Sequence, residues 1–100
     1  MEVRLVRNKD GRLEIHCDTP PPTWPRGDKL LRHLKKQLRA HVTLRVRCPI
    51  TDQAIWDLQI EGRKIIAERS DWGDITIYAE DPSDQGLIEK IAESLQREMK

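Results

Sequence analysis

The chain predicts an α+β fold, a two-layer sandwich with two helices on one face of a mostly antiparallel sheet. Two observations carry this. Apolar residues recur at every second position through much of 42–80: Val42, Leu44, Val46 and Cys48, then Trp56, Leu58 and Ile60, then Ile75, Ile77 and Ala79. A period of two makes one face of each strand apolar and the other polar, as in a sheet covered on one side only. Two stretches with helical periodicity, 28–41 and 82 to the end of the chain, supply the cover. The predicted order is β-β-α-β-β-β-β-α.

The first two strands form a hairpin. Val3 and Leu5 precede Asn8-Lys9-Asp10-Gly11, and Leu13, Ile15 and Cys17 follow it. That turn suits a three-residue loop with glycine in the left-handed region. It pairs Asn8 with Arg12, Leu5 with Ile15 and Val3 with Cys17, which puts all five apolar residues on one face. Thr19 to Pro25 holds four prolines, each lacking a backbone donor, and predicts a stiff extended crossing pinned by Trp24.

Asp28 is the expected cap of the first helix, which runs to about His41 because Gly27 and the prolines bar an earlier start. Leu30, Leu31, Leu34 and Leu38 form its apolar stripe; Lys29, Arg32, Lys35, Lys36 and Arg39 fill the rest. Pro49 to Asp52 breaks the next two strands apart. Glu61-Gly62 turns the following pair, and a two-residue loop there places Leu58 opposite Ile65 and Trp56 opposite Ala67. A loop one residue longer places Trp56 opposite Ile66. The two-residue loop buries the apolar positions more consistently, although glutamate suits such a turn poorly. Residues 70–74 make the last turn. Asp81-Pro82 starts the second helix, and its stripe is Leu87, Ile88, Ile91, Ala92, Leu95 and Met99.

At 100 residues the chain is expected to form a single domain, 1–100. Its 37% hydrophobic and 35% charged residues are too regularly patterned for a disordered segment. No apolar run reaches the roughly 18 residues of a membrane span. Residues 1–11 carry charges throughout and no signal-peptide core, so a cytoplasmic location is expected, with Cys17 and Cys48 reduced.

No sequence motif points to catalysis. The five glycines are scattered at turns and a helix start, away from any phosphate-cradling pattern. His16, Cys17, His33, His41 and Cys48 match no standard zinc spacing, and no metal or cofactor is expected. His33 and His41 stand eight residues apart on the predicted helix, roughly 12 Å, too far to share an ion.

Charge distribution is the remaining lead. Residues 1–50 hold 12 Lys/Arg against 5 Asp/Glu, whereas residues 51–100 hold 6 against 12. One reading pairs the basic helix with the acidic second helix (Asp84, Glu89, Glu93, Glu98) inside the domain. The other is a partner surface. The expected function is a non-enzymatic interaction domain that binds another protein or a copy of itself. Its basic contact residues are Arg32, Lys36, Arg39, Arg45 and Arg47, with Trp24 and Trp72 as interface aromatics. The alternative is a nucleic-acid-binding module using the basic helix 28–41. Against it, the chain has no Phe and a single Tyr for base stacking.

Overall fold

In a computed structural model the elements are β1 (Glu2–Arg7), β2 (Leu13–Asp18), α1 (Trp24–Leu38), β3 (His41–Arg47), β4 (Ala54–Ile60), β5 (Arg63–Arg69), β6 (Ile75–Ala79) and α2 (Gln85–Glu98). A 3-10 turn, Pro82–Asp84, leads into α2. The structure describes residues 2–18, 24–48, 50, 53–70 and 74–98, the side chains of 24–29 and 98 excepted.

The six strands form one sheet in the order β1-β2-β6-β5-β4-β3, and every pair is antiparallel. The connection through α1 crosses the whole sheet, from the β1-β2 hairpin at one side to β3 at the other. The chain then meanders back through β4 and β5 until β6 closes against β2. Both edges of the sheet, β1 and β3, therefore come from the first half of the chain.

The first hairpin has the expected register, with Val3 opposite Cys17 and Leu5 opposite Ile15. Asn8 N–H reaches the Arg12 carbonyl at 2.9 Å, and Gly11 takes a φ of +87°. Its shared apolar face is buried only in part: Leu13, Ile15 and Cys17 are covered, while Leu5, on the edge strand, is 40% exposed. The β4-β5 turn is the two-residue loop. Leu58 faces Ile65, Trp56 faces Ala67, and Glu61 and Gly62 both have positive φ, +54° and +74°.

Alternation then does what it predicts in the centre of the sheet. Leu13, Ile15, Cys17, Ala54, Trp56, Leu58, Ile60, Ile65, Ala67, Ile75, Ile77 and Ala79 share one face. They belong to a single buried cluster with Leu30, Leu31 and Leu34 of α1 and Leu87, Ile88, Ile91, Ala92 and Leu95 of α2. We call this the core face and the opposite one the outer face. Two polar bonds fix α2 against the first hairpin. Gln85 Oε1 accepts from Leu13 N–H at 2.6 Å, and Gln96 Nε2 donates to the Val3 carbonyl at 3.2 Å.

Three expectations are corrected. The first helix opens at Trp24, not Asp28, because a proline in the first turn gives up an N–H that has no helical partner. Gly27 costs such a helix only about 1 kcal/mol. It also ends earlier, at Leu38. Arg39 turns left-handed (φ +53°), and Ala40 N–H returns to the Leu34 carbonyl at 3.2 Å. His41 is consequently the first residue of β3 rather than a helical partner of His33.

The third correction lies in β3. Leu44 faces Trp56 but Val46 faces Ile55, so Arg45 is an extra residue in a β-bulge. The bulge shifts the parity of the strand by one. Val46 leaves the core face for the outer face and is 51% exposed, and Cys48 lies beyond the strand, half-buried. Asp81 caps the 3-10 turn that leads into the second helix, accepting from Ser83 N–H at 2.9 Å, and α2 itself begins at Gln85, three residues after the expected start at Pro82. The Thr19–Thr23 segment, Pro49, Thr51, Asp52, the Asp71–Gly73 part of the last turn, and Met99 lie outside the described residues.

Candidate functional site: the α1–β3 edge

The outer face is polar and answers its own charges. Arg4 pairs with Asp18 at 3.1 Å, and Lys64 with Glu80 at 3.4 Å. Glu14 holds both Arg12 and His16, each at 3.2 Å. Arg12 also lies over the Tyr78 ring, 4.7 Å from its centroid. Tyr78 donates to Glu68 at 2.6 Å, and burial followed by that bond pushes its hydroxyl up to about 12. Arg45 grips Asp57 through two guanidinium nitrogens. That bond is the main reason the Asp57 carboxyl sits below its ordinary value and the arginine above its own. A depression of about 630 Å³ crosses this face at one end, with Arg4, His16, Glu68, Ile55 and Val46 among its lining. Its charged groups are spent on neighbours.

Helix α1 differs. Arg32, Lys35, Lys36 and Arg39 are exposed, and among the described residues none of them takes part in an ion pair. Among the described residues the acidic helix does not neutralise them: Glu89 and Glu93 are exposed too, and the α2 residue Lys90 bonds Glu61 at 2.6 Å. The helices are joined instead by His33 Nε2 and Ser94 Oγ, 3.0 Å apart.

Beside these cations lies strand β3. Among the described residues no strand pairs with its outer edge. On the core face, Leu31, Val42, Leu44 and Trp56 line a groove of about 280 Å³, with Arg32 and Lys35 as its polar members. Leu44 is 48% exposed there, because β3 lies at the margin of the helical cover. Trp56 is itself buried and forms part of the wall; the Arg69 guanidinium stands 5.2 Å from its ring centroid.

The structure thus sorts the sequence-derived residues. Arg32, Lys36 and Arg39 share the exposed surface of the helix and its end. Arg45 is on the outer face, bound to Asp57, and does not join them. Arg47 ends β3, exposed, opposite Ala54. Trp72 and the side chain of Trp24 lie outside the described residues.

Sequence reading missed Lys35 and Leu44 as site residues. Lys35 follows Leu31 by four positions, which placed it on the groove side of the helix. Leu44 carried no signal of its own, since alternation assigned it to the core. Cys17 is chemically quiet, as burial first and the Asp18 charge second push its thiol up to about 12. Among the described residues no group of three or more His, Cys, Asp or Glu could hold a metal, and no helix is long and apolar enough to cross a membrane. Comparison with family models, with curated proteins and with solved structures gives no match to this chain.

Proposed function

We propose that this chain is a non-catalytic interaction domain, cytoplasmic, that binds another protein through α1 and β3. The observation that carries the reading is the contrast between the two faces. Cations on the outer face are matched by carboxylates a few ångströms away, whereas Arg32, Lys35, Lys36 and Arg39 have no such partner among the described residues. Like charges one turn apart on a helix cost stability. A row of them beside a half-exposed leucine and an open strand edge is a surface suited to a partner.

The second reading, nucleic acid on the same cations, draws on their exposed alignment along the helix. The neighbouring surface speaks for protein. It is aliphatic, Trp56 is buried, and Tyr78 lies across the sheet beneath Arg12, so neither of these two described rings is open beside the cations for a base to stack on.

The test is selection of peptides from a random display library on the wild-type domain and on R32E/K36E/R39E. Recovery of related sequences that the variant no longer retains is expected. Equal recovery on both proteins sinks the reading. Nucleic-acid binding that weakens steeply with salt and is lost in the same variant would replace it with the second.

A further inference from the structure

This inference rests on the proposed protein-binding role and goes beyond it to the kind of partner. We infer that the occupant of the α1–β3 surface is an extended, acidic segment of another protein that adds to the sheet beside β3. The bound strand places an aliphatic side chain in the groove at Leu31, Leu44 and Trp56, and carboxylates against Arg32 and Lys35.

Four features lead there. The outer edge of β3, which no strand among the described residues pairs, offers backbone donors and acceptors that a strand satisfies and a helix does not. Alternate side chains of an added strand point toward the core face, where the groove lies. At about 280 Å³ the groove lies at the small end of the roughly 300–1,000 Å³ of small-molecule sites, and its aliphatic wall of Leu31, Val42 and Leu44 accommodates an aliphatic side chain. Finally, among the described residues no carboxylate pairs with Arg32 or Lys35, so carboxylates on the incoming strand meet exposed positive charge.

The same charges argue against a second copy. Two β3 edges paired about a two-fold axis would bring the two α1 helices side by side, and Arg32, Lys35 and Arg39 of each would confront their equivalents. The bulge at Arg45 also interrupts straight pairing beyond Leu44. The edge is guarded against its own kind and open to an acidic strand along His41–Leu44.

The probe is a fluorescein-labelled peptide of seven residues, the length of β3, with threonine at positions 2, 4 and 6 and with aspartate and isoleucine alternating at positions 1, 3, 5 and 7, so that both kinds share the face turned to the groove. A lysine-for-aspartate version is its control. Binding is read by anisotropy at low salt, and exchange of the β3 amide protons by NMR with and without peptide. The aspartate peptide is expected to bind about tenfold or more tightly than the lysine peptide. R32E/K35E and L44D should each weaken it by a similar factor, and the β3 amides not bonded to β4 should exchange more slowly when it is bound. R32E/K35E changes only exposed side chains, so its fold, checked by circular dichroism, stands even where L44D loosens the edge.

Equal binding of the two peptides refutes the acidic partner. Binding without protection of β3 amides refutes strand addition while leaving the protein-binding role in place. Failure of both peptides, together with a display selection indifferent to charge, removes the role as well. A dimer in light scattering that L44D dissolves assigns the edge to a second copy. Salt-dependent capture of an oligonucleotide that R32E/K35E abolishes assigns the surface to nucleic acid.

Discussion

Replacing Arg32 with glutamate should make this domain more stable while removing its binding surface. Arg32 stands three and four residues before Lys35 and Lys36 on one exposed side of α1, and no described carboxylate pairs with any of the three. The substitution removes two repulsions and creates two attractions, with glutamate on the N-terminal side, the better orientation. Asp28 and Lys29, one turn earlier in the sequence, carry opposite charges and cancel at this spacing. At about 0.2–0.5 kcal/mol per pair lost or gained, the sum after losing the packing of the arginine stem is roughly 1 kcal/mol. For a domain of this size that raises Tm by about 4–8 °C. Circular dichroism melts at low and high salt provide the assay, because a gain made of exposed charges shrinks as salt screens them. A lower Tm, or a gain indifferent to salt, would show that Arg32 is already satisfied within the fold. The argument that these cations await a partner would then fail. Stability gained where binding is lost is the expected mark of a functional surface.

Other outcomes follow from particular contacts. Glu61 holds a left-handed backbone that asparagine adopts more readily, so E61N should stabilise the domain by about 0.5–1 kcal/mol once its exposed bond to Lys90 is removed from the comparison. Urea unfolding of K90A and E61N/K90A makes that comparison, and a less stable double variant would contradict it. The Asp81 carboxyl lies below its ordinary 3.8, chiefly because it accepts the Ser83 N–H. Its contribution is therefore complete above pH 3.8 and fades as pH falls through the lower folded value. D81N keeps a capping oxygen that does not titrate, so its stability should decline less steeply below pH 3.8; identical slopes would count against the cap. With the Cys17 thiol near 12 and buried, iodoacetamide at pH 8 should label Cys48 alone in the native protein and both thiols in urea. Rapid native labelling of Cys17 would overturn its placement in the core.

Much of the fold was legible in the chain itself, because strand and helix periods are local properties. Alternation through Trp56, Leu58 and Ile60 and again through Ile75, Ile77 and Ala79 named the core face. Asn8 to Gly11 set the register of the first hairpin, and Asp81-Pro82 marked the second helix. Only the tertiary structure decided what depends on neighbours distant in sequence. The bulge at Arg45 arises between β3 and β4 and moves Val46 to the outer face, where Asp57 holds the arginine. Leu44 is half exposed because β3 ends the sheet, a fact of strand order that no alternation encodes. The proline-bearing start of α1 escaped a rule that applies to helix interiors and not to first turns. The charges of α1 are plain in the sequence. That they stand beside a strand edge unpaired among the described residues, rather than against Glu89 and Glu93 of α2, follows from the crossing that carries the chain from β2 to the far side of the sheet.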